Sequence, residues 1–562
     1  MVAALSADNP FDLLVIGGGI TGCGVALDAG TRGLSVTLVE RDDFASGTSS
    51  KSSKLIHGGL RYLQRGDVRL VYEALHERQR LLRNAPHLVS VLPFLIPILT
   101  TDGPVSKRIA KAFRSALWMY DLTGGVRIGK RHQRVDATEA LAHCSTLPAD
   151  RLSSGFVYYD AQADDARLTL AVARTAVEQG AVCANRCEVI GLVRGDDGRV
   201  AGARVECGDR VIDVHARCVV SAAGVWADDI DTFADEHHEP SIRPAKGVHL
   251  AIPWELVRNH IAVIIAVPGD KRSLFLIPWG ERPDGTYDRC YVGTTDTDYL
   301  GDLDDPETND DDLDYVLSAL NHSIRPPIGR PITRDDVTGV WAGLRPLVRT
   351  ATSSRTADLS RRHRVTVRPD GLISVTGGKL TTYREMASDV VDAAMRSLGR
   401  SGRSRTKRLT LWGGEGYRRP PGSRPLDHPA GHLARRYGTH AADVTALVDA
   451  DPTLGEALVA GLPYLRAEAV YAARHEMATT LADVFARRTR AHLFDREACR
   501  TAASDVAALI ANELGWTEEQ QAENVADYLR MCDAEADAAE RPDARHSASL
   551  DTAADSAEPE RP

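Results

Sequence analysis

The chain has 562 residues, well beyond the roughly 100–200 residues of a typical domain, so we expect two or three domains. Its 43% hydrophobic residues suffice for complete cores, and a net charge of −10 argues against a protein that coats nucleic acid. Nine acidic and three basic residues lie between positions 533 and 562, so most of the negative charge belongs to the C-terminal end.

The sequence predicts neither a membrane span nor a signal peptide nor a metal site. The apolar run from Leu88 to Leu99 is shorter than the roughly 20 residues that a spanning helix needs, and prolines interrupt it. The nine cysteines include no CxxC pair, which favours reduced thiols over a disulfide framework. We therefore expect a cytoplasmic protein without a bound metal.

The first predicted element is a βαβ unit between positions 11 and 40. The run Asp12 to Ile16 ends in Gly17-Gly18-Gly19-Ile20-Thr21-Gly22, and small and apolar residues then continue at helical spacing to Thr31. A second β-branched run, Ser35 to Val39, closes with Glu40. This order of strand, glycine-rich turn, helix, strand and acid predicts a dinucleotide-binding unit.

The residues of this motif have separate roles in cofactor binding. Gly17 permits the tight turn, Gly19 lets the backbone approach a diphosphate, and Gly22 lets the helix lie close to the strand. Gly18 completes the turn at the helix N-terminus, which faces the phosphates, while Glu40 accepts hydrogen bonds from ribose hydroxyls. The motif alone leaves FAD and NAD open.

Two later segments favour FAD. Strand-like runs end in Ala222-Ala223-Gly224-Val225-Trp226 and in Gly377-Gly378-Lys379-Leu380-Thr381, and a helical stretch follows the second to about Met395. If both strands join the first sheet, the nucleotide domain is built from separate parts of the chain. FAD-dependent oxidoreductases are organised in this way, whereas NAD domains are usually contiguous.

The whole pattern predicts an α/β fold: a discontinuous Rossmann-like FAD-binding domain, an inserted mixed or antiparallel β-sheet substrate domain, and an all-α C-terminal domain. The substrate sheet is indicated by β-rich runs, the linker by an Arg/Gly/Pro-rich stretch, and the helices by Ala/Leu/Arg-rich sequence. The expected boundaries are 11–90, 150–245 and 348–398 for the FAD-binding domain, 91–149 and 246–347 for the substrate region, 399–429 for the linker, 430–532 for the helical domain and 533–562 for an acidic disordered tail.

Several longer motifs are more specific than the glycine-rich turn. They are Gly47-Thr48-Ser49-Ser50-Lys51-Ser52-Ser53-Lys54-Leu55-Ile56-His57-Gly58-Gly59-Leu60-Arg61-Tyr62-Leu63, Ala223-Gly224-Val225-Trp226, Lys246-Gly247-Val248-His249, Gly343-Leu344-Arg345-Pro346-Leu347, Gly377-Gly378-Lys379-Leu380-Thr381-Thr382-Tyr383-Arg384, His475-Glu476-Met477-Ala478 and Arg487-Arg488-Thr489-Arg490. With these motifs in this order, the chain closely resembles the FAD-dependent glycerol-3-phosphate dehydrogenases from about Asp12 to Arg490.

The resemblance implies oxidation of sn-glycerol 3-phosphate to dihydroxyacetone phosphate, with FAD as cofactor and a membrane quinone as electron acceptor. It also implies further cofactor-binding residues, namely Thr48, Ser49, Ser50, Ala223, Gly224, Trp226, Gly378, Lys379, Leu380 and Thr381. A homodimer is a possible oligomeric state.

The reaction needs a base for the hydroxyl proton of the substrate. His57 is the first candidate, because imidazole titrates near neutral pH and the residue lies in the motif expected beside the flavin. His249 competes for the role, although Val248 stands where the family usually has Ser or Thr. An arginine assists proton transfer in some accounts of such enzymes, so the identity of the base stays open.

Arginines are the expected clamps for the substrate phosphate, because a planar guanidinium can bind two phosphate oxygens at once. Arg61, Arg345 and Arg361 are the candidates, although the family acid expected after Arg361 is replaced by Arg362. Tyr62 is expected to pack beside the substrate. Lys379 follows two glycines at a strand end and is expected to stabilise negative charge on the reduced flavin.

A quinone acceptor requires contact with a bilayer. Lys107, Lys111, Arg114 and Trp118 fall at helical spacing, so we predict that Ser106 to Leu122 is an interfacial helix. The alternative is an ordinary amphipathic helix packed on the protein. We expect peripheral attachment at the cytoplasmic face of the cell membrane.

Two other functions remain open. A glycerol-3-phosphate oxidase of the same architecture would pass electrons to oxygen, and motifs around the substrate do not separate the two acceptors. A flavin-binding sensor without turnover is the alternative from a different class. The joint presence of His57, Arg345 and Lys379 argues against a sensor.

Overall fold

The computed structural model describes residues 2–5, 9–60, 67–104, 110–125, 128–270, 272–282, 284–349, 363–418 and 429–538. The strands within these ranges are β1 (Leu13–Ile16), β2 (Val36–Val39), β3 (Leu55–Ile56), β4 (Val89–Leu99), β5 (Gln133–Asp136), β6 (Leu152–Ala163), β7 (Val182–Ala184), β8 (Glu188–Arg194), β9 (Val200–Cys207), β10 (Arg210–His215), β11 (Val219–Ser221), β12 (Ile242–Pro253), β13 (Ala262–Ala266), β14 (Ser273–Glu281), β15 (Tyr287–Gly293), β16 (Thr297–Asp298), β17 (Gly339–Val348), β18 (Arg364–Val367) and β19 (Ile373–Thr376).

The α-helices within these ranges are α1 (Val2–Leu5), α2 (Ile20–Thr31), α3 (Val68–Asn84), α4 (Ala110–Tyr120), α5 (Ala137–His143), α6 (Asp165–Glu178), α7 (Ala227–Ala234), α8 (Trp254–Val257), α9 (Asp310–Ser323), α10 (Tyr383–Ser397), α11 (Ala430–Tyr437), α12 (Ala441–Ala450), α13 (Arg466–His475), α14 (Ala491–Phe494), α15 (Arg496–Leu514) and α16 (Glu518–Ala538). Short 3₁₀-helices span Gly224–Trp226, Arg334–Asp336, Leu380–Thr382, Thr406–Arg408, Gly438–His440 and Pro452–Gly455, and π-helical turns span Asp121–Gly125 and Asp483–Thr489.

The nucleotide-binding sheet is assembled from distant parts of the chain. Within the described residues its strands run in the order β18-β19-β11-β1-β2-β7. β1 pairs in parallel with β2 on one side and β11 on the other, which places Val15 beside Leu38 and Val220. All residues of β1 and β2 are buried, as expected of parallel strands covered on both faces. The discontinuous Rossmann-like domain is therefore confirmed.

The second large sheet runs in the order β16-β12-β15-β14-β13-β4-β6-β3, with β17 added beside β12 and β5 beside β6, as far as the chain is described. Most pairs are antiparallel, and β13 with β4 is parallel, so the inserted mixed sheet is confirmed. The sequence boundaries placed β3 and β6 in the FAD-binding domain, and this was wrong. An apolar strand does not reveal its sheet, and β6 joins this one by pairing with β4.

A three-stranded antiparallel sheet, β10-β9-β8, packs on one face of the nucleotide-binding sheet. A disulfide joins Cys187, just before β8, to Cys207 at the end of β9. The expectation of reduced thiols is therefore wrong for this pair. The two residues lie 20 positions apart in sequence, and the pairing of β8 with β9 brings them together.

The helical C-terminal domain, which we call the cap, is confirmed, but two of its sequence boundaries were wrong. Part of the expected linker is packed, since Trp412 is 6% exposed and the Arg174 guanidinium lies 3.8 Å from its ring centre. The expected tail began at 533, whereas α16 continues to Ala538. Glu535 on that last turn accepts from His492 at 2.8 Å. Although burial alone would lower the pKa of His492, the Glu535 carboxylate raises that pKa to about 9.

Buried ion pairs fix the cap to the nucleotide-binding domain. Arg488 donates to both carboxylate oxygens of Asp43, at 2.7 and 2.8 Å, and Arg487 donates to the same carboxylate at 2.6 Å. Asp43 and Arg488 are almost fully buried. Arg490, from the same cap segment, donates to the carbonyl of Ser50 at 2.7 Å and pairs with Asp165. A buried charge that loses its partner is costly, so these contacts specify how the cap docks.

Arg488→Ala should therefore lower the free energy of unfolding by about 3–5 kcal/mol, because it leaves the buried Asp43 carboxylate without its bidentate partner. Urea unfolding of the purified protein measures the change. The matched control is Arg204→Ala, which breaks an exposed pair with Asp213 and should lower the free energy of unfolding far less. Equal losses for the two variants would contradict the role of Asp43 in docking.

Candidate active site

The glycine-rich turn after β1 has no room for side chains. A Cβ at Gly22 would lie 1.9 Å from the carbonyl oxygen of Gly17, and a Cβ at Gly17 would lie 2.7 Å from that of Ala222. Gly17 also has a φ of +111°. These close approaches bring the N-terminus of α2 against the ends of β1 and β11, so its backbone N–H groups face the cleft above the sheet.

That cleft is formed where three chain-distant segments meet. Its lining includes Gly17, Gly19, Glu40, Thr48, Ser49, Ala223, Gly224, Trp226, Gly378, Lys379 and Leu380, all of them cofactor-binding residues proposed from the sequence. The cleft also includes residues that the sequence analysis missed, among them Arg41, Cys187, Glu188, Asp229, Phe233 and Pro346. Pro346 belongs to the motif Gly343-Leu344-Arg345-Pro346-Leu347, but it was given no role there. No local motif marks the others, because strand pairing and helix packing bring them to the cleft.

Four proposed cofactor residues do not line the cleft but lie next to it. The backbone N–H of Gly18 donates to Glu40 at 2.6 Å, and Gly22 packs on Gly17. The Ser50 carbonyl accepts hydrogen bonds from Lys54 and Arg490, and the Thr381 hydroxyl accepts one from the His57 backbone at 3.2 Å. These residues therefore support the walls of the cleft.

Glu40 occupies the position expected for a ribose-binding acid. One carboxylate oxygen accepts from Gly18 and the other from the backbone N–H of Asp42 at 2.9 Å. Burial raises the pKa of Glu40 above its usual value. Ser49 shapes the neighbouring wall, since its hydroxyl accepts from the backbone N–H of Ile20 at 2.9 Å. The crowded glycines, the helix N-terminus and this acid together fit a dinucleotide such as FAD.

His249 lies on β12, where three neighbours define its position. Its Nε2 is 2.7 Å from the Ser53 hydroxyl, and its ring stacks on Trp341 with centroids 4.9 Å apart. Nδ1 has no hydrogen-bond partner within the described part of the chain. His249 as a whole is 3% exposed. Burial, followed by the charges of Lys54 and Arg345, holds the pKa of His249 well below its usual value, so the imidazole is neutral.

Arg345 lies on β17, beside the strand that carries His249. Its guanidinium donates to the Asp296 carboxylate at 3.1 Å and to the Thr295 carbonyl at 3.2 Å. A Cβ at Gly247 would lie 2.5 Å from this guanidinium, so the glycine makes room for it. In the register of β12 with β17, His249 lies opposite Trp341 and Arg345 lies opposite Ala245. Because side chains alternate between the two faces of a sheet, His249 and Arg345 share one face.

The other proposed catalytic residues are His57, Lys379, Arg61, Tyr62 and Arg361. His57 is half-buried, and its backbone N–H is bound to Thr381. Lys379 lines the cleft. Arg61, Tyr62 and Arg361 lie outside the described residues, and their roles stay predictions from the resemblance.

Comparison with known proteins agrees with this geometry. Residues 12–384 match the family described as "FAD dependent oxidoreductase", and residues 404–521 match the family described as "C-terminal domain of alpha-glycerophosphate oxidase". Glycerol-3-phosphate dehydrogenase 2 of Mycobacterium tuberculosis (strain H37Rv) is 40% identical, and the match covers 95% of this chain and 90% of that protein. The mitochondrial glycerol-3-phosphate dehydrogenase of Mus musculus is 38% identical, covering 93% of this chain and 73% of that protein.

A solved structure gives the same result for the fold. The glycerol-3-phosphate dehydrogenase from Bacillus halodurans, determined in complex with FAD, superposes with a TM-score of 0.75 at 30% identity. The match covers 96% of this chain and 98% of that one. FAD is therefore the cofactor of this fold.

Gly22→Ala should abolish FAD retention, because its methyl group would collide with the Gly17 carbonyl and push α2 away from the turn. Flavin released from the purified protein, measured per mole of chain, reports the effect. Gly191→Ala is the matched control, since a Cβ there meets nothing within 4 Å and should leave the flavin content unchanged. A Gly22→Ala protein with full flavin would show that the turn tolerates a side chain.

Proposed function

We propose that this chain, which belongs to the FAD-dependent glycerol-3-phosphate dehydrogenases, oxidises sn-glycerol 3-phosphate to dihydroxyacetone phosphate and delivers the electrons to a membrane quinone. The observation that carries the proposal is the convergence of the three cofactor segments on one cleft, beside a sheet that presents His249 and Arg345. The names of the full-length relatives support the substrate assignment.

Bound FAD supplies the acceptor for the hydrogen and electron pair that leave the carbinol carbon. The N-terminus of α2 and the turn at Gly17 to Gly19 would hold its diphosphate, while Glu40 would hold its ribose. Lys379 and Leu380, which line the same cleft, would hold its flavin end. The Lys379 ammonium favours a negative charge there.

His249 takes the hydroxyl proton of the substrate. A general base must be unprotonated before it acts, and the buried, neutral imidazole of His249 meets that requirement. Ser53 and Trp341 also hold its ring in one orientation. His57 is the alternative base; it is half-buried, and its backbone N–H donates to the Thr381 hydroxyl beside the cleft.

Arginines hold the phosphate and the developing carbonyl. Arg345 is anchored on one side by Asp296, which fixes the guanidinium beside His249 on the same sheet. A fixed guanidinium stabilises negative charge on the substrate oxygen as the proton leaves. Arg61, Arg361 and Tyr62 complete the phosphate site on the grounds of the resemblance alone.

Anaerobic addition of sn-glycerol 3-phosphate should bleach the visible absorbance of the flavin, and a soluble quinone analogue should then restore it much faster than air does. Stopped-flow absorbance measures both phases. Glycerol is the control, because it offers the same hydroxyl without the phosphate that the arginines bind.

The outcomes separate the alternatives. Failure of sn-glycerol 3-phosphate to bleach the flavin would sink the dehydrogenase assignment and leave the sensor. Rapid reoxidation by oxygen, with one hydrogen peroxide formed per flavin, would establish the oxidase. The match of residues 404–521 to a family described by an oxidase is compatible with that outcome.

A surface patch supports contact with a bilayer. Trp118 and Met119 on α4 and Leu122 in the following turn are 46%, 43% and 69% exposed, and Val68 and Tyr72 on the adjacent α3 are also exposed. We call these five residues the apolar patch. Arg114 on α4 is exposed as well. Among the described residues, no helix is both long enough and apolar enough to cross a membrane.

Large apolar side chains beside cations are the features of a protein that binds at the membrane interface. We place the peripheral contact with the inner face of the cell membrane at the apolar patch. Lys107 falls outside the described residues, and the side chain of Lys111 is also outside them.

Joint replacement Trp118→Ser and Leu122→Ser should weaken binding to anionic phospholipid vesicles by at least about tenfold, because each removed side chain contributes on the order of 1–2 kcal/mol when it enters the interface. Sedimentation with vesicles measures the bound fraction. Leu300→Ser, which removes a side chain that is 79% exposed elsewhere, is the control. Unchanged sedimentation of the double variant would exclude the patch as the anchor.

A further inference from the structure

Lys54 is a fully buried lysine in the segment that connects the cofactor cleft to the substrate sheet. Its φ of +57° places it in the left-handed region, which a non-glycine residue adopts only when its surroundings enforce it. Its ammonium lies 4.6 Å from the ring centre of Trp341 and 5.8 Å from that of Tyr291. Lys54 therefore sits in an aromatic site, where a cation is attracted to the ring faces.

The Asp165 carboxylate neutralises only part of the positive charge of Lys54. The Lys54 ammonium is 3.4 Å from the Asp165 carboxylate, which also accepts two hydrogen bonds from Ser52 and pairs with Arg490. Asp165 is thus shared between two cations. Burial, and then Arg490, lower the pKa of Lys54 to about 8, so the ammonium stays protonated at the lower pH at which an imidazole titrates.

The Trp341 side chain lies between the Lys54 ammonium and His249 and contacts both. The indole that receives the Lys54 ammonium is also the ring on which the imidazole stacks, nearly parallel, at an interplanar angle of 6°. A positive charge at this range disfavours a second proton on the imidazole.

Two charged side chains act on the His249 imidazole within the described residues. They are Lys54, from the loop before β3, and Arg345, from β17, whose charge is balanced by Asp296. Ser53, Tyr291 and Trp341 supply a hydroxyl and rings without charge. No acidic side chain pairs with the imidazole within the described residues.

We infer that Lys54 is a positioning residue for proton transfer: its ammonium, placed over Trp341, keeps the His249 imidazole neutral, while the Ser53 hydroxyl holds the ring so that Nδ1 can receive the substrate proton. This inference rests on the proposed function. Nε2–H donates to Ser53 in the required tautomer, which leaves Nδ1 with a lone pair and without another partner among the described residues. The substrate O–H bond breaks, and its proton ends on Nδ1 as the carbinol carbon is oxidised.

Lys54→Met tests the inference, because it keeps the length of the side chain and removes the charge. In this variant the Asp165 carboxylate keeps its contacts with Arg490 and Ser52, so we expect the protein to fold. The Lys54 ammonium and the His249 imidazole are less than about 10 Å apart. With an effective dielectric constant of about 20, loss of the Lys54 charge should raise the titration midpoint of His249 by about one pH unit.

The sign follows from the role of the base. A neutral imidazole is active, so turnover is lost as the pH falls through its pKa. Removing the cation raises that pKa, so the acid limb of kcat/KM for sn-glycerol 3-phosphate should move to higher pH by about one unit. The rate at pH 8 should change little, whereas the rate on the acid limb should fall by up to about tenfold.

Two further variants make the test specific. Lys54→Arg keeps a cation at the site and should restore the position of the acid limb. Lys130→Met removes an exposed lysine that also lies over an aromatic ring, Tyr159 at 5.8 Å, and should leave the profile unchanged. Titration of histidine-labelled holoenzyme by NMR, with the His249 signal assigned from His249→Gln, measures the midpoint without turnover.

An upward shift in Lys54→Met that is absent from Lys54→Arg and Lys130→Met supports the inference. An unmoved midpoint and acid limb, or an equal loss of rate at every pH in both Lys54 variants, overturns it in favour of a purely structural lysine. Absence of turnover in the unaltered protein would instead refute the proposed function, and the NMR midpoint would still decide the effect of Lys54 on His249.

Discussion

The segment from Asp43 to Lys54 depends on buried ion pairs at both of its ends. Asp43 is held by Arg487 and Arg488 of the cap, and Lys54 pairs with Asp165 at the start of α6. An unpaired charge at such a depth would cost several kcal/mol, so the segment reaches its position only when the cap and α6 are both in place. The cap is thus a structural requirement for the cleft, although none of its residues lines the described cleft.

This dependence explains which parts of the site could be predicted from sequence. The turn at Gly17 to Gly22 is a local motif, because the crowding that demands glycine arises within the βαβ unit. The contact between Lys54 and Trp341 could not be predicted from sequence, since 287 positions separate the two residues. Only the approach of the Lys54 loop to β17 brings them together. The sheet membership of β6 was missed for the same reason, because strand pairing is non-local.

The two histidine candidates illustrate the limit of reasoning from residue type. Sequence favoured His57 because it lies within the motif expected beside the flavin. Only the structure distinguishes the environments, since His249 is enclosed by Trp341 and Ser53 and lacks an acidic neighbour within the described residues. For a base, the relevant property is a lone pair that remains available at working pH, and burial beside cations provides it at the cost of intrinsic basicity.

A weaker base is acceptable here because the proton and the hydrogen with its electron pair leave the same substrate. As the carbinol carbon is oxidised, its hydroxyl becomes far more acidic, so an imidazole of low basicity can still accept the proton. In the mechanism proposed above, the cationic surroundings serve a second purpose, since Arg345, held by Asp296, would also stabilise negative charge on the substrate oxygen. Arg345 would thus lower both the basicity of His249 and the basicity that the reaction requires, so a cationic environment is compatible with a histidine base.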